Sequence, residues 1–252
     1  MDKSITLLTY NIQSWDVNER RVKGIIDLIK KYNPDIICLQ EVTVVWFKIL
    51  RKEFSNTYAF NGRDRLYGEK DCLRRDREKC CVLYKKERFD FVCSHTYWLG
   101  PDMIHPSKFE ESVFKRVFTV TKLIDVKNNW KFQAISTHFD YLKPEVREQQ
   151  AEVLSTYLKK QKEPIILAGD FNGERKEKGY KLISDVMVDV GVEFDETSIT
   201  YHAYNKFPYE KIDYIFRSNN IIAKDFKLIK DDYAGLPPSD HYPLFTVFEI
   251  IK

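Results

Sequence analysis

The sequence predicts an α/β fold in which helices pack outside a mixed system of β-sheets. Two observations carry this expectation. Short apolar runs rich in Val, Ile, Phe and Tyr recur along the chain, as strands do when they are buried on both faces or paired in hairpins, and helical periodicity appears between some of the runs. A βαβ-like start followed by strand-rich hairpins then leaves the helices on the outside. At 252 residues, with 43% hydrophobic and 14% aromatic side chains, the chain can bury a sizeable core. With only nine Gly and nine Pro, and no repeat or linker-like stretch, residues 1–252 are expected to form a single domain.

The first strand is expected over Ile5 to Ile12. A helix follows, because Val22, Ile25, Ile26 and Ile29 recur at helical spacing, and it should stop at Asn33-Pro34, where proline restricts the residue before it. Asp35 to Leu39 reads as a strand, and a second helix should carry Trp46, Ile49 and Leu50. Strands are expected over Cys80 to Tyr84, Phe89 to Cys93, Arg116 to Val126 and Trp130 to Thr137. The last two should be joined by a hairpin turn at Asn128 and Asn129. Pro144 suits the first turn of a third helix that buries Val146, Val153, Leu154, Tyr157 and Leu158. Ile165 to Ala168 is a further strand, Gly179 to Val188 a fourth helix, and Ile212 to Phe216 and Tyr242 to Ile250 the closing strands.

Charge and cysteine usage exclude several classes. Forty-one basic against 38 acidic residues leave a net charge of +3, far from the excess expected of a nucleic-acid coat protein, so a polyanion would have to meet a local patch. The densest charged stretch, Gly62 to Lys79, interleaves its arginines and lysines with acids and reads first as a solvated loop. Five cysteines without CxxC spacing suit a reduced compartment. No signal-like start and no membrane-length apolar run is present, so a cytoplasmic protein is expected.

The chemistry lies at the strand ends. "TLLTYN" ends on Asn11, "DIICLQE" on Gln40 and Glu41, "FQAISTHFD" on His138 and Asp140, and "IILAGDFN" on Asp170 and Asn172. "EKIDYIF" holds Asp213, and "PPSDHYPLF" sets Asp240 and His241 before a strand. Taken singly, each has a plain explanation: an Asx turn before Gly173, a helix-start carboxylate at Glu41, a satisfied core or surface histidine. Jointly they are harder to dismiss, because burying a neutral polar group without a partner costs roughly 2–7 kcal/mol and a charge more. Such groups must satisfy one another or hold an ion, and strand ends gathered at one edge are where α/β enzymes keep their sites. An oxygen-rich set suits a hard octahedral cation such as Mg²⁺ or Mn²⁺, whose remaining positions take water and phosphate oxygens. A phosphate-ester substrate is therefore expected.

The ordered motifs "TYNI", "LQEV", "STHFD", "AGDFN", "KIDYIF" and "SDHYP", spread over almost the whole chain, resemble the endonuclease/exonuclease/phosphatase superfamily of metal-dependent phosphoesterases. The resemblance implies a DNase I-like four-layered α/β sandwich: two mixed β-sheets packed face to face, helices outside, the site at one edge. It also implies roles. Glu41 would be the principal metal ligand, with Asn11 near metal and phosphate and Asp240 contributing directly or through water. Asp170 would orient or deprotonate the attacking water, and Asn172 would hold that water or the phosphate. His241, held by Asp213, would contact the phosphate, and His138 would be a second phosphate-side histidine. Glu78 falls where a partner of that second histidine is expected, and Arg116 is placed either for phosphate contact or for a strand-edge salt bridge. One departure is Tyr141, which stands in "THFDY" where many bacterial and deadenylase-like members carry a further histidine.

The expected function is a Mg²⁺- or Mn²⁺-dependent phosphodiesterase or nuclease. The alternatives are a phosphatase or phosphodiesterase for a small molecule or lipid headgroup such as an inositol phosphate or sphingomyelin, and a non-catalytic binding protein on the same fold. The last should have lost one or more of Glu41, Asp170, Asn172, Asp240 and His241, and the chain retains them all. Nucleic acid is a candidate partner; no protein partner can be inferred, and a monomer is expected.

Overall fold

The computed structural model describes residues 3–70, 72–204, 206 and 210–251. The chain runs β1 (Ile5–Asn11), α1 (Glu19–Tyr32), β2 (Ile36–Val42), α2 (Val44–Phe54), β3 (Tyr58–Asn61), β4 (Lys79–Lys85), β5 (Phe89–Trp98), β6 (Val117–Asp125) and β7 (Trp130–His138). It continues through α3 (Pro144–Lys159), β8 (Ile165–Asp170), α4 (Lys178–Ser184), β9 (Val188–Asp189), α5 (Val190–Glu193), β10 (Asp213–Arg217), β11 (Ile221–Leu228) and β12 (Leu244–Ile250). The strands form two six-stranded mixed sheets, ordered β11-β12-β1-β2-β4-β3 and β5-β6-β7-β8-β10-β9.

Three buried clusters show why these strands stack. Alternate residues of a strand face opposite sides. Ile5 and Leu7 of β1, Ile36 and Cys38 of β2, Phe132 and Ala134 of β7, and Ile166 and Ala168 of β8 meet in the layer between the sheets. Leu8, Tyr10, Ile37 and Leu39 face the other way, onto Ile25, Ile29, Trp46 and Leu50 of α1 and α2. Ile135, Ile165 and Leu167 face Leu154 and Leu158 of α3 and Ile183 of α4. The result is the expected helix, sheet, sheet, helix sandwich.

Local chemistry sets most boundaries. Asn18 caps α1 by accepting from Arg21 N, and Asn33 ends it in the left-handed conformation (φ 43°) just before Pro34. Thr43 caps α2 in the same way through Trp46 N, and Pro144 opens α3. The β6–β7 hairpin pairs Asp125 with Trp130, and Asn129 takes a positive φ of 54° in its turn. α4 stops at Ser184 and does not reach Val188, because Val188 and Asp189 pair with Arg217 and Phe216 as an edge strand. Val153 is only half-buried on α3. β3 and β11 lie at the margins of the first sheet, where one side has no neighbouring strand among the described residues.

At the end of the sandwich where β1 and β2 begin, a buried ion cluster ties the two sheets together. Arg88, between β4 and β5, binds Asp35 at 2.8 Å, Asp125 at 3.4 Å and the Ser4 carbonyl at 2.6 Å. Asp35 precedes β2 of the first sheet and Asp125 ends β6 of the second, so one guanidinium spans both. Removing it leaves the buried Asp125 without an ion pair among the described residues and Asp35 with Lys85 alone at 3.2 Å, the situation that makes breaking a buried pair costly. Arg88→Ala is expected to lower unfolding stability by about 3–5 kcal/mol in a denaturant titration; a loss within about 0.5 kcal/mol, as at ordinary surface positions, would show that the cluster does not hold the sheets.

Candidate active site

The inner faces of the strands turn from apolar to polar as they approach the opposite end. Along β1 the inward series is Ile5, Leu7, Thr9, Asn11; along β7 it is Phe132, Ala134, Ser136, His138; along β8 it is Ile166, Ala168, Asp170. Because β1 and β2 are parallel, as are β7 and β8, their polar ends emerge side by side, with Asn11 opposite Gln40 and His138 opposite Asp170. β10 runs antiparallel to β8 and begins at this end, placing Asp213 opposite Asp170. Gln40 Nε2 reaches across the layer to Ser136 Oγ at 3.1 Å, joining the sheets where the apolar packing gives out.

Asp170 is the centre. Its Oδ2 receives Asn11 Nδ2 at 2.9 Å and faces His138 Nε2 at 3.4 Å and His241 Nε2 at 3.8 Å, while Oδ1 receives the Asn172 backbone N–H at 2.8 Å. Gly169 makes this approach possible: a Cβ there would stand 2.1 Å from the Thr137 carbonyl of the neighbouring strand. Burial, and then the Asp213 charge, raise the Asp170 carboxyl above its usual range. His241 Nδ1 donates to Asp213 Oδ2 at 2.8 Å. Burial opposes charge on this imidazole, but Asp213, Asp170 and Asp240 outweigh it and raise its pKa to about 10.

His138 is held differently. An arginine can only donate, so the 3.0 Å contact from Arg116 Nη1 makes His138 Nδ1 the acceptor and leaves the ring proton on Nε2, facing Asp170. Burial and then the Arg116 and Arg65 charges lower its pKa well below the ordinary histidine range, so the ring is neutral. This corrects the expected pairing of Glu78 with His138: Glu78 is instead ion-paired with Arg65 at 2.6 Å. Among the described residues Arg116 makes no strand-edge salt bridge, and its buried Nε has no hydrogen-bond partner.

On the side of the first sheet, Glu41 (φ 59°) accepts from Asn11 Nδ2 at 3.0 Å and the Ser14 backbone N–H at 2.6 Å. Burial would raise its carboxyl, but these bonds and the His241 charge bring it below the usual carboxylate range. Asp240 accepts from Gln13 Nε2 at 2.8 Å, and burial raises its carboxyl, with the Glu41 charge acting in the same direction. Asn11 is a bridge between Glu41 and Asp170 whose amide oxygen is already taken by the Gln13 N–H at 3.0 Å. It is therefore oriented as a donor to the two carboxylates, beside Glu41, with its oxygen held by the backbone. Asn172 uses Nδ2 on the Phe139 carbonyl at 3.0 Å and adopts a positive φ of 49°.

Glu41, Glu78, Arg116, His138, Asp170, Asn172, Asp240 and His241 line one cavity of about 780 Å³. Asn11 and Asp213 support it from behind. Several partners were not legible in the sequence: Gln13, the Ser14 N–H, Arg65 and Arg21. Arg21 is fully buried, with its guanidinium on the carbonyls of Ile12, Gln13, Asp16 and Pro238, so it pins the loops that present Ser14 and Asp240. The charged loop Gly62–Lys79 is partly the solvated segment expected, with Arg77 paired to Asp64, but it also turns Arg65 into the cavity; its Asp71 lies outside the described residues.

A hard cation fits this donor set. Glu41 and Asp240 repel one another across a buried cavity, which a divalent ion between them would relieve. Asp170, Asp213 and His241 also have ligand atoms within 4.8 Å of one another, where an ion would have to break the 2.8 Å His241–Asp213 bond.

Residues 8–241 match the sequence model of the endonuclease/exonuclease/phosphatase family. The Ccr4 3'-5'-exoribonuclease subunit of the CCR4-Not complex from Saccharomyces cerevisiae is 24% identical over 303 residues, covering 95% of this chain and 36% of its own length. The chain thus spans little more than a third of that relative. Among solved structures, an endonuclease/exonuclease/phosphatase family protein from Bacteroides thetaiotaomicron superimposes with a TM-score of 0.86 at 22% identity, covering 99% of this chain and 98% of its own. A mannosyl-6-phosphatase from the same organism gives 0.85 at 22%, covering 96% and 98%. At these identities the structural likeness bears on the fold.

The His241–Asp213 pair predicts a pH dependence. A histidine whose folded pKa lies above its ordinary 6.5 adds stability that is fully present below pH 6.5 and lost as the pH rises through about 10. In EDTA, the melting temperature of the wild type should therefore fall more steeply between pH 7 and 10 than that of Asp213→Asn. Parallel slopes in a differential scanning series would show that Asp213 does not hold His241 charged.

Proposed function

The chain belongs to the endonuclease/exonuclease/phosphatase family, and from that premise we propose that it hydrolyses phosphate esters, a phosphodiester foremost, by in-line attack of a water activated at Asp170. The carrying observation is the convergence on Asp170 Oδ2 of an amide donor at 2.9 Å and two imidazole nitrogens at 3.4 and 3.8 Å. The longer two distances leave the histidine N–H groups free to turn toward phosphoryl oxygens.

In this reading Asp170, whose proton affinity is raised by burial and Asp213, takes the proton of the attacking water. His241, charged and braced by Asp213, donates from Nε2 to a phosphoryl oxygen and stabilises the negative charge that grows there. His138, kept neutral by Arg116, supplies a second Nε2–H without adding a titrating charge. Asn172, fixed by Phe139, lines the path of water or phosphate, and Arg116 has an unpartnered Nε for the same anion. Mg²⁺ or Mn²⁺ held by Glu41 and Asp240 would add positive charge beside the phosphate and lower the pKa of bound water.

The similarity to Ccr4 supports a nuclease, and that to the mannosyl-6-phosphatase keeps a small-molecule phosphatase as the second reading. Residues 1–252 are proposed to act as one domain and as a monomer. No helix among the described residues is long and apolar enough to cross a membrane, and the unbridged cysteines fit a reducing cytoplasm.

Asp170→Asn and His241→Gln should each lower kcat on a fluorescent oligonucleotide by at least about 100-fold, the scale of a general base or an oxyanion donor, with folding retained by circular dichroism. EDTA should abolish activity, and Mg²⁺ or Mn²⁺ should restore it. Wild-type rates in both variants would contradict the mechanism.

A further inference from the structure

The catalytic groups leave much of the cavity to something other than a phosphate. Three exposed rings line it: Trp15 (69% exposed), Tyr141 (52%) and Phe114 (38%). Trp15 follows β1 of the first sheet, while Phe114 precedes β6 and Tyr141 follows β7 of the second, so ring faces reach the cavity from both sheets. Leaving such rings in water forgoes their burial, yet the backbones that carry them are anchored.

Two buried polar hubs provide the anchoring. Arg21 holds the carbonyls of Trp15 and Asp16 on one side. On the other, the fully buried Asp140 accepts Ser112 Oγ, Val113 N and Leu142 N, each at 2.9 Å, which fixes the segments bearing both Phe114 and Tyr141. Phe114 is further held by the Arg65 and Arg116 guanidiniums at 4.2 and 5.4 Å from its ring, and it lies 6.3 Å from Tyr141. Rings mounted on fixed loops beside cations are how unpaired bases and their backbone are gripped together. Arg75, whose side chain is 82% exposed, stands in the same cavity for a second phosphate.

We propose that Trp15, Phe114 and Tyr141 form a stacking platform for unpaired bases flanking the scissile phosphate, which makes single-stranded nucleic acid the substrate class. The proposal rests on the phosphodiesterase reading above and extends it to the groups on either side of the reacting bond. It also gives Tyr141, the departure in "THFDY", a role as a specificity residue. A duplex would keep its bases stacked on each other and offer these rings no free face.

The chain contains its own reporter. Of its four tryptophans, Trp46, Trp98 and Trp130 are buried and only Trp15 is exposed, so intrinsic fluorescence quenching reads this ring. The experiment titrates Asp170→Asn with Mg²⁺ against an eight-nucleotide oligothymidylate, an all-abasic oligomer of equal length and charge, and mannose 6-phosphate. In parallel, kcat/KM on the two oligomers is compared between wild type and the Trp15→Ala and Tyr141→Ala variants. The oligothymidylate should quench saturably and bind at least about fivefold more tightly than the abasic oligomer, the lower limit of one base–aromatic stack. Both ring variants should raise KM for the base-bearing oligomer and leave kcat/KM for the abasic one within about twofold, the error of a neutral change. Equal binding of the two oligomers, or tighter quenching by mannose 6-phosphate, overturns the platform even if hydrolysis proceeds. Base-dependent quenching without hydrolysis by wild type upholds the platform and overturns the phosphodiesterase reading.

Discussion

Everything at this site depends on one buried carboxylate. Asp170 lies at 1% exposure in the layer between two sheets, and a lone carboxylate there would carry a desolvation penalty of several kcal/mol. The structure offsets it with N–H groups from four places in the chain: Asn172 just after β8, Asn11 of β1, and the facing nitrogens of His138 and His241. The same donors that make its burial tolerable are those a phosphoryl group would need. Stability and function are therefore coupled at this end of the sandwich, whereas the Arg88 cluster at the other end ties the sheets together without touching the site.

The two histidines illustrate how environment assigns roles to identical side chains. His241 has a carboxylate behind it and is driven toward the charged form; His138 has a guanidinium behind it and is driven toward the neutral one. Both present Nε2–H to the cavity, but only one brings a positive charge. Replacing the expected Glu78 partner by Arg116 changes the chemistry of the second histidine without moving it from the site, and it frees Glu78 to neutralise Arg65.

Most of the strands, and the polar side chains that close them, were legible in the sequence as short apolar runs, whereas the four-layered sandwich and the residue roles were implied by the resemblance of the ordered motifs. A strand whose inner face reads Ile166, Ala168, Asp170 announces both its core and its polar end, and six such ends imply convergence. The strands that were not legible lie at sheet margins: β3, β9 and β11 carry mixed burial patterns and draw their pairing from neighbours rather than from local propensity. Among site residues, those that act through their own side chain at a strand end could be named. Gln13, Arg21 and Arg65 could not, because they reach the site from loops and a helix, and part of their bonding is to backbone carbonyls, which leave no residue pattern. The orientation of Asn11 was not legible either, since the Gln13 N–H that fixes its oxygen belongs to the backbone.

The most direct test of the account is a crystal structure of the wild-type protein with Mn²⁺ and inorganic phosphate, located by anomalous scattering. The ion is expected between Glu41 and Asp240, and the phosphate within hydrogen-bond reach of both His138 Nε2 and His241 Nε2. An ion seated on Asp213 and His241, or a phosphate bound away from the two histidines, would contradict it.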